Sequence, residues 1–261
     1  MSLSPEILGL VQRLADASGT VIRRYFRTPI AVDDKADSSP VTIADREVEQ
    51  TLRALITQAY PEHGIYGEEF GQSQCDAEYV WVIDPIDGTK SFITGKPLFG
   101  TLIALLHHGK PVLGVLDQPI LRERWIGGVD LPTSLNTQAV KVRACADLSQ
   151  AILYATSPHM FVKPEHVQGF ANVRDAIKTP IYGGDCYAYA LLATGFVDIV
   201  VEASLSPYDY CALVPIVENA GGIITDWQGQ PLGLHSNGCV VAAGDARVHA
   251  QALEKLHQAV L

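Results

Sequence analysis

Apolar residues recur at helical spacing in the N-terminal part of the chain. Ser4 and Pro5 are typical of a helix N-cap and first turn, and an apolar stripe continues from them to Tyr25. The polar stretch 33–40 then interrupts the pattern. A second stripe follows Thr42 and ends at Pro61, because proline cannot continue a helix. The pattern predicts two amphipathic helices.

The spacing then changes to one typical of strands. Short apolar segments occupy 79–83, 99–106, 111–116 and 124–126. The middle pair is joined by His107-His108-Gly109-Lys110, which predicts a hairpin with a solvated end. This half of the chain is therefore expected to place its helices over a largely antiparallel sheet.

Beyond residue 140 short strands alternate with helices, which is typical of α/β structure. The predicted strands are 151–155, 180–182, 197–201, 223–225 and 239–243, and the predicted helices are 185–193, 209–220 and 245–259. A connection is expected at 127–136, where two glycines and a proline occur. The prediction is an N-terminal α+β subdomain over 1–135 and a C-terminal α/β subdomain over 136–261.

Composition narrows the class of protein. The 261 residues are 48% hydrophobic, and 29 acidic against 19 basic side chains give a net charge of −10. These values indicate a globular protein and oppose binding to nucleic acid, since no lysine and arginine cluster is present. The longest apolar runs, 98–106 and 188–197, are shorter than the roughly 20 residues of a membrane span. The first residues do not resemble a secretory signal and the cysteines form no Cys-x-x-Cys pair, so the cytoplasm is expected.

Candidate chemistry concentrates in Trp81-Val82-Ile83-Asp84-Pro85-Ile86-Asp87-Gly88-Thr89, an apolar strand that runs into two aspartates. Hard divalent cations such as Mg²⁺ prefer oxygen ligands of this kind. The Ile86 carbonyl can face the same site, and the N–H groups after Gly88 can hold a phosphate. The alternative is an ordinary Asp-Gly turn with solvated carboxylates.

Further acids precede and follow this segment. Glu68 and Glu69 follow the short apolar stretch 65–66, Asp45 lies in the second predicted helix, and Asp209 lies near the start of the predicted helix 209–220. Taken one at a time, each fits a surface acid or, for Asp209, a helix N-terminal carboxylate.

Together these residues resemble the inositol monophosphatase superfamily of Mg²⁺-dependent phosphatases. The resemblance rests on the order Asp45, Gly67-Glu68-Glu69, Asp84-Pro85-Ile86-Asp87-Gly88-Thr89, then Asp209 before Gly221-Gly222, and it covers nearly the whole chain. It implies an α/β fold, a layered α-β-α-β-α sandwich. It also implies two to three Mg²⁺ ions, a small-molecule phosphomonoester as substrate and a homodimer.

The resemblance further implies a role for each acid. Glu68, Asp84 and the Ile86 carbonyl would bind a first metal ion, and Asp84, Asp87 and Asp209 a second. Glu69 would lie close to these ions, and Asp45 would lie near a third, more weakly bound ion. The backbone of Gly88 and Thr89 would bind the phosphate. Thr89, Glu68 and Asp45 would form the catalytic set that orients and deprotonates the attacking water.

The substrate depends on other segments. Residues 91–103 and 182–189 look more like the histidinol-phosphate phosphatases of this superfamily than like its inositol-specific members, which carry a small residue where Asp185 stands. Asp185 and Glu202, beside Asp87 and Asp209, would suit the cationic groups of histidinol. The alternative for Asp185 is a helix N-cap.

The sequence therefore predicts a phosphatase that hydrolyses histidinol phosphate. Inositol 1-phosphate or another sugar phosphate is the alternative substrate, and a non-catalytic regulator on the same fold is a more remote alternative. Tyr208-Asp209-Tyr210-Cys211 departs from the Trp-Asp-x-Ala of many members but keeps the acid. Among the histidines, no metal site is evident.

Overall fold

The structure is a computed structural model that describes residues 3–34 and 40–258. Its helices are α1 (Pro5–Tyr25), α2 (Ile43–Ala59), α3 (Thr89–Ile93), α4 (Pro164–Arg174), α5 (Cys186–Ala193), α6 (Pro207–Tyr210), α7 (Leu213–Asn219) and α8 (Ala246–His257). Its strands are β1 (Val32–Asp34), β2 (Pro40–Thr42), β3 (Gly64–Gly67), β4 (Gly71–Ser73), β5 (Tyr79–Asp87), β6 (Gly100–His107), β7 (Lys110–Gln118), β8 (Glu123–Gly128), β9 (Leu131–Leu135), β10 (Gln138–Ala139), β11 (Ile152–Ala155), β12 (Thr179–Tyr182), β13 (Ile199–Glu202), β14 (Ile223–Thr225) and β15 (Val240–Ala243). The polar residues 35–39 and the end of the predicted helix 245–259 lie outside the described residues.

Three buried clusters fill the four interfaces between five layers, because one cluster lies on both sides of the α5 and α7 layer. Alternate residues of β5 point to opposite faces of its sheet, so Trp81 packs on α1 and α2 while Val82 packs on α5 and α7. The other face of the α5 and α7 layer covers the second sheet, whose far side packs on α4 and α8. The predicted α-β-α-β-α sandwich is confirmed.

The larger sheet has eight strands in the order β10-β9-β8-β7-β6-β5-β3-β4. All neighbours are antiparallel except β3 and β5, which are parallel. The expectation of a largely antiparallel sheet is confirmed. Because β3 and β5 run the same way, their carboxyl ends meet at one edge.

The second sheet has the order β12-β11-β13-β15-β14 and contains all five predicted strands. Strand β11 is parallel to both its neighbours, whereas β13, β15 and β14 are antiparallel. The α/β texture predicted for this half is therefore present in a mixed sheet.

Three local predictions need correction. The predicted connection at 127–136 contains the end of β8 and all of β9, which continue the first sheet. The predicted helix 209–220 is divided into α6 and α7, since Pro215 has no N–H to continue the helical bonds back to Cys211. Helix α4 was not predicted because its apolar stripe is weak. The division at residue 135 stays a prediction.

Candidate functional site

The end of β5 brings two aspartates to one edge of the sheet. The pairing of β5 with β6 is regular up to Asp84, and the register then shifts before Asp87 pairs with Gly100. Pro85 has no N–H for the ladder, and its carbonyl accepts a 2.8 Å hydrogen bond from the Thr101 hydroxyl instead. Such a bulge redirects side chains, so both carboxylates face the same space.

Asp209 adds a third carboxylate from the layer beneath. One oxygen of each of Asp84, Asp87 and Asp209 lies within 4.8 Å of the other two. Asp209 accepts a 2.7 Å hydrogen bond from the Ser206 N–H at the start of α6. Asp87 accepts a 2.6 Å bond from the Cys186 N–H at the start of α5. Helix N-termini therefore hold two of the three acids in place.

The electrostatics of this trio favour a bound cation. Burial, reinforced by the charges of neighbouring acids, raises the pKa of Asp84 and of Asp87 well above the usual value. Burial also raises the pKa of Asp209 to about 7. In the described part of the chain the charges that act most strongly on the trio are acidic, with Glu68 prominent among them. A hard divalent cation with oxygen ligands fits such a set.

The predicted pair Glu68 and Glu69 follows β3 directly, at the same edge. Besides burial, the negative charge of Glu68 raises the pKa of Asp45, Asp84 and Asp209. Glu68 thus joins Asp84, Asp87 and Asp209 in one group of acids, which we call the acidic edge. The three carboxylates that converge most closely are those of the aspartates. Glu69 lies in the same turn.

A buried glutamate that the sequence reasoning missed holds this turn. Glu49, in α2, is completely buried and accepts hydrogen bonds from the N–H groups of Glu69 at 2.6 Å and Phe70 at 3.0 Å. Its other contact is a 2.8 Å ion pair with Arg53. A Cβ on Gly67 would lie 2.0 Å from the Glu49 carboxylate, so only glycine fits before the two glutamates. A signal was present: Glu49 lies one turn after Asp45 on the buried side of α2.

Asp45 and Thr89 meet as predicted. One Asp45 oxygen caps α2 by accepting from the Thr42 N–H at 2.8 Å and from its hydroxyl at 2.6 Å. The other oxygen faces the Thr89 hydroxyl at 3.4 Å, and this hydroxyl lies 3.1 Å from the Ile86 carbonyl. Burial raises the pKa of Asp45. The pair combines a buried acid with a hydroxyl that lies between it and the end of β5.

Gly88 begins the short helix α3 with a φ of +89°, a left-handed conformation that favours glycine. No side chain caps α3, and the first N–H groups of a helix have no partner inside it. The backbone groups of Gly88 and Thr89, predicted to bind phosphate, therefore lie directly after Asp87, next to the acidic edge.

Asp185 occupies the N-cap position of α5, but its side chain makes no capping bond. Its carboxylate accepts a 2.8 Å hydrogen bond from the Ser91 hydroxyl and lies about 3.1 Å from where a Cβ on Gly88 would be. Its φ of +46° is uncommon for a residue other than glycine. The cap is supplied by Asp87, so the capping alternative for Asp185 is wrong. Ser91 was missed because no local pattern links it to Asp185.

Glu202 lies at the end of β13 and is buried. Its carboxylate accepts from the Thr156 N–H at 2.8 Å and from the Tyr189 hydroxyl at 2.9 Å, and burial raises its pKa. A cavity of about 100 Å³ connects all four of the predicted substrate-binding acids; its lining residues are Asp87, Thr156, Met160, Asp185, Cys186, Tyr189, Glu202, Leu205 and Asp209.

Comparisons with known proteins agree on one family. The model of the inositol monophosphatase family matches residues 5–261. The bifunctional phosphatase IMPL2, chloroplastic, of Arabidopsis thaliana is 57% identical over 252 residues, which cover 93% of this chain and 72% of the plant protein. A histidinol-phosphatase of Chlorobaculum parvum is 36% identical and covers 90% of this chain and 91% of its own. A solved inositol monophosphatase of Zymomonas mobilis has a TM-score of 0.91 and 49% identity, covering 98% of this chain and all of its own.

Proposed function

Because the chain belongs to the inositol monophosphatase family and is a phosphatase of that family, we propose that it is a Mg²⁺-dependent phosphomonoesterase whose substrate is histidinol phosphate. The observation that carries the substrate assignment is Asp185, an acid held beside Gly88 at the cavity that contains Asp87 and Asp209. A neutral polyol would gain little from this acid, whereas an ammonium or imidazolium forms charge-assisted hydrogen bonds with it.

Two to three Mg²⁺ ions would bind at the acidic edge. Glu68, Asp84 and the Ile86 carbonyl would bind one ion. Asp84, Asp87 and Asp209 would bind a second, so Asp84 would contact both. When bound, Mg²⁺ neutralises phosphoryl charge and increases the acidity of water. The pKa values raised by burial and by neighbouring acids support this proposal, since a bound cation would offset the repulsion among these buried carboxylates.

Asp45 and Thr89 are proposed to position the attacking water, with Glu68 beside them. The Thr89 hydroxyl can donate to one Asp45 oxygen and accept a hydrogen bond from water, while the other Asp45 oxygen stays on its cap. Burial raises the pKa of Asp45, so its carboxylate is a stronger proton acceptor than an exposed aspartate. Glu69 is proposed to lie close to the ions.

The remaining groups would bind the substrate. The N–H groups of Gly88 and Thr89 are directed to the phosphate, and Asp185 to a cationic group of the alcohol. Glu202 already accepts two hydrogen bonds, but each carboxylate oxygen can accept another. It would add negative potential at the far side of the cavity.

The test is phosphate release from L-histidinol phosphate and myo-inositol 1-phosphate in parallel, each with Mg²⁺ and with chelator. We expect Mg²⁺-dependent release with a higher kcat/KM for histidinol phosphate. A higher kcat/KM for the inositol ester would overturn the substrate assignment and leave the metal site intact. Absence of Mg²⁺-dependent release from any phosphomonoester would instead favour the non-catalytic alternative.

The inositol ester stays the second candidate because the Zymomonas mobilis protein with 49% identity is named an inositol monophosphatase. A broader sugar-phosphate specificity belongs to the same alternative.

The homodimer also stays a prediction. So does the cytoplasm, since the Arabidopsis relative is described as chloroplastic. Within residues 3–34 and 40–258, no helix has the length and apolar character needed to cross a membrane.

A further inference from the structure

The opposite end of β5 carries a second group of possible metal ligands. Glu78 directly precedes β5, and Tyr79 pairs with His107, the last residue of β6. His108 follows in the turn to β7. One ligand atom from each of Glu78, His107 and His108 lies within 4.8 Å of the other two. At about 3.3 Å per residue, Glu78 is about 20 Å along the strand from Asp84, so this group is separate from the acidic edge.

The distance between two of the ligand atoms is close to that found around a small tetrahedral ion. His107 Nε2 lies 3.0 Å from Glu78 Oε1. Bonds of about 2.0–2.1 Å to a tetrahedral Zn²⁺ place neighbouring ligand atoms about 3.3 Å apart, so a small movement admits the ion. The rings of His107 and His108 have centroids 4.2 Å apart and an interplanar angle of 49°.

The hairpin end is held by contacts that do not use these ligand atoms. The His108 N–H donates a 2.9 Å hydrogen bond to the Glu78 carbonyl. The Tyr79 ring packs on His107 at 4.8 Å, and His63 stacks on Tyr79 at 5.0 Å. Much of the ordering cost of the His107 ring is therefore already met in the absence of metal.

Two imidazoles and one carboxylate form a ligand set that Zn²⁺ and related transition-metal ions accept, whereas Mg²⁺ prefers a set made of oxygen ligands alone. Within the described ranges the ion-pair partner of Glu78 is His107. Lys110 lies opposite His107 in the hairpin but forms no ion pair with Glu78. We propose that Glu78, His107 and His108 form a binding site for a divalent transition-metal ion of the Zn²⁺ class, with water completing its coordination.

The experiment is a calorimetric titration of the full chain with Zn²⁺ in the presence of saturating Mg²⁺. We expect the wild-type chain to bind an equivalent of Zn²⁺ that His107→Ala, His108→Ala and Glu78→Gln each weaken by at least about tenfold, as loss of a metal-site partner does. His159→Ala, which removes an exposed histidine elsewhere, is the matched control and should bind as the wild-type chain does. Zn²⁺ should also raise the Tm of the wild-type and His159→Ala chains but not that of the double variant His107→Ala/His108→Ala.

Two controls separate this site from the acidic edge and from misfolding. The Asp87→Asn variant should retain the same Zn²⁺ equivalent, and each hairpin variant should retain Mg²⁺-dependent phosphate release. Zn²⁺ binding that is lost in Asp87→Asn, or that is equal in the wild-type chain and in the double variant, would overturn the proposal. NMR provides an independent readout. The histidine signals that disappear in His107→Ala and in His108→Ala belong to these two residues, and Zn²⁺ should perturb them in the wild-type chain. If these signals do not respond to Zn²⁺, the proposal is contradicted.

Discussion

The two ends of strand β5 present opposite solutions to grouping charged and polar side chains. At the carboxyl end, Asp84 and Asp87 are joined by Asp209 and Glu68 from other elements, and burial raises the pKa values of the three aspartates. At the amino end, the proposed ligands come from a single hairpin and the residue beside it, and most remain accessible to water. Burial opposes ionisation of the three aspartates, which a bound cation would offset, whereas water can solvate the groups at the exposed end.

The largest expected effect is at the buried end. Asp87→Asn should lower kcat/KM by more than about 100-fold, because even outer-shell changes at metal sites cost about 10–100-fold. The amide oxygen of asparagine can still accept from the Cys186 N–H, so the α5 cap and the fold should remain. Phosphate release at saturating Mg²⁺ and circular dichroism measure the two outcomes. Activity within a few-fold of the wild type would show that Asp87 is a structural cap only.

The next effect tests the support of the acidic edge. Glu49→Gln should lower kcat/KM by about 10–100-fold, since one side-chain oxygen cannot replace both acceptors for the Glu69 and Phe70 N–H groups. Excess Mg²⁺ should recover part of the loss if the turn acts through metal affinity. Gln50→Glu, on the exposed side of α2, is a control for a change of charge on the same helix. If Glu49→Gln loses stability but retains kcat/KM in the folded protein, the turn does not position Glu68.

A smaller effect is expected from the acid that would select the substrate. Asp185→Asn keeps the size and shape of the side chain and leaves the backbone with a similar residue, so the main change is loss of the charge. A charge-assisted hydrogen bond contributes about 1.5–3 kcal/mol, and KM for histidinol phosphate should therefore rise at least about tenfold. KM for myo-inositol 1-phosphate should change much less. Equal changes for both esters would assign Asp185 to holding Ser91 and α3 instead.

The sequence was informative where a feature depends on neighbours along the chain. The stripes of α1 and α2, the apolar run of β5 and the hairpin at His107-His108 follow from local periodicity, and the structure confirms them. The resemblance to the inositol monophosphatase superfamily, rather than periodicity, predicted that the acids form one set. Contacts between distant residues were not visible: the Cys186 N–H that reaches Asp87 is 99 residues away, and the Ser91 hydroxyl that reaches Asp185 is 94 residues away. Local periodicity also failed in two places. The apolar stripe of α4 was too weak to predict that helix, and the apolar spacing over 209–220 did not show the division beside Pro215.

The smallest effect concerns pH and sharpens the contrast between the two ends. Burial raises the pKa of Asp209 to about 7, so the metal-free folded state holds a proton that the unfolded state releases near pH 4. The metal-free protein should therefore lose stability as pH rises from about 4 to about 7, because the unfolded chain then binds fewer protons than the folded one. Mg²⁺ must displace this proton, so its apparent affinity should fall by up to about tenfold for each pH unit below 7.

Thermal unfolding with chelator and with Mg²⁺, across pH 5 to 8, measures both trends. The Tm difference between the two conditions should widen as pH rises, and Asp209→Asn should reduce this pH dependence. Glu78→Gln, which changes an acid at the exposed end of β5, should leave it unaltered in the absence of Zn²⁺. If the Tm of the metal-free protein is instead constant or rises over this range, the buried acids are not held protonated, and burial does not distinguish the two ends of the strand.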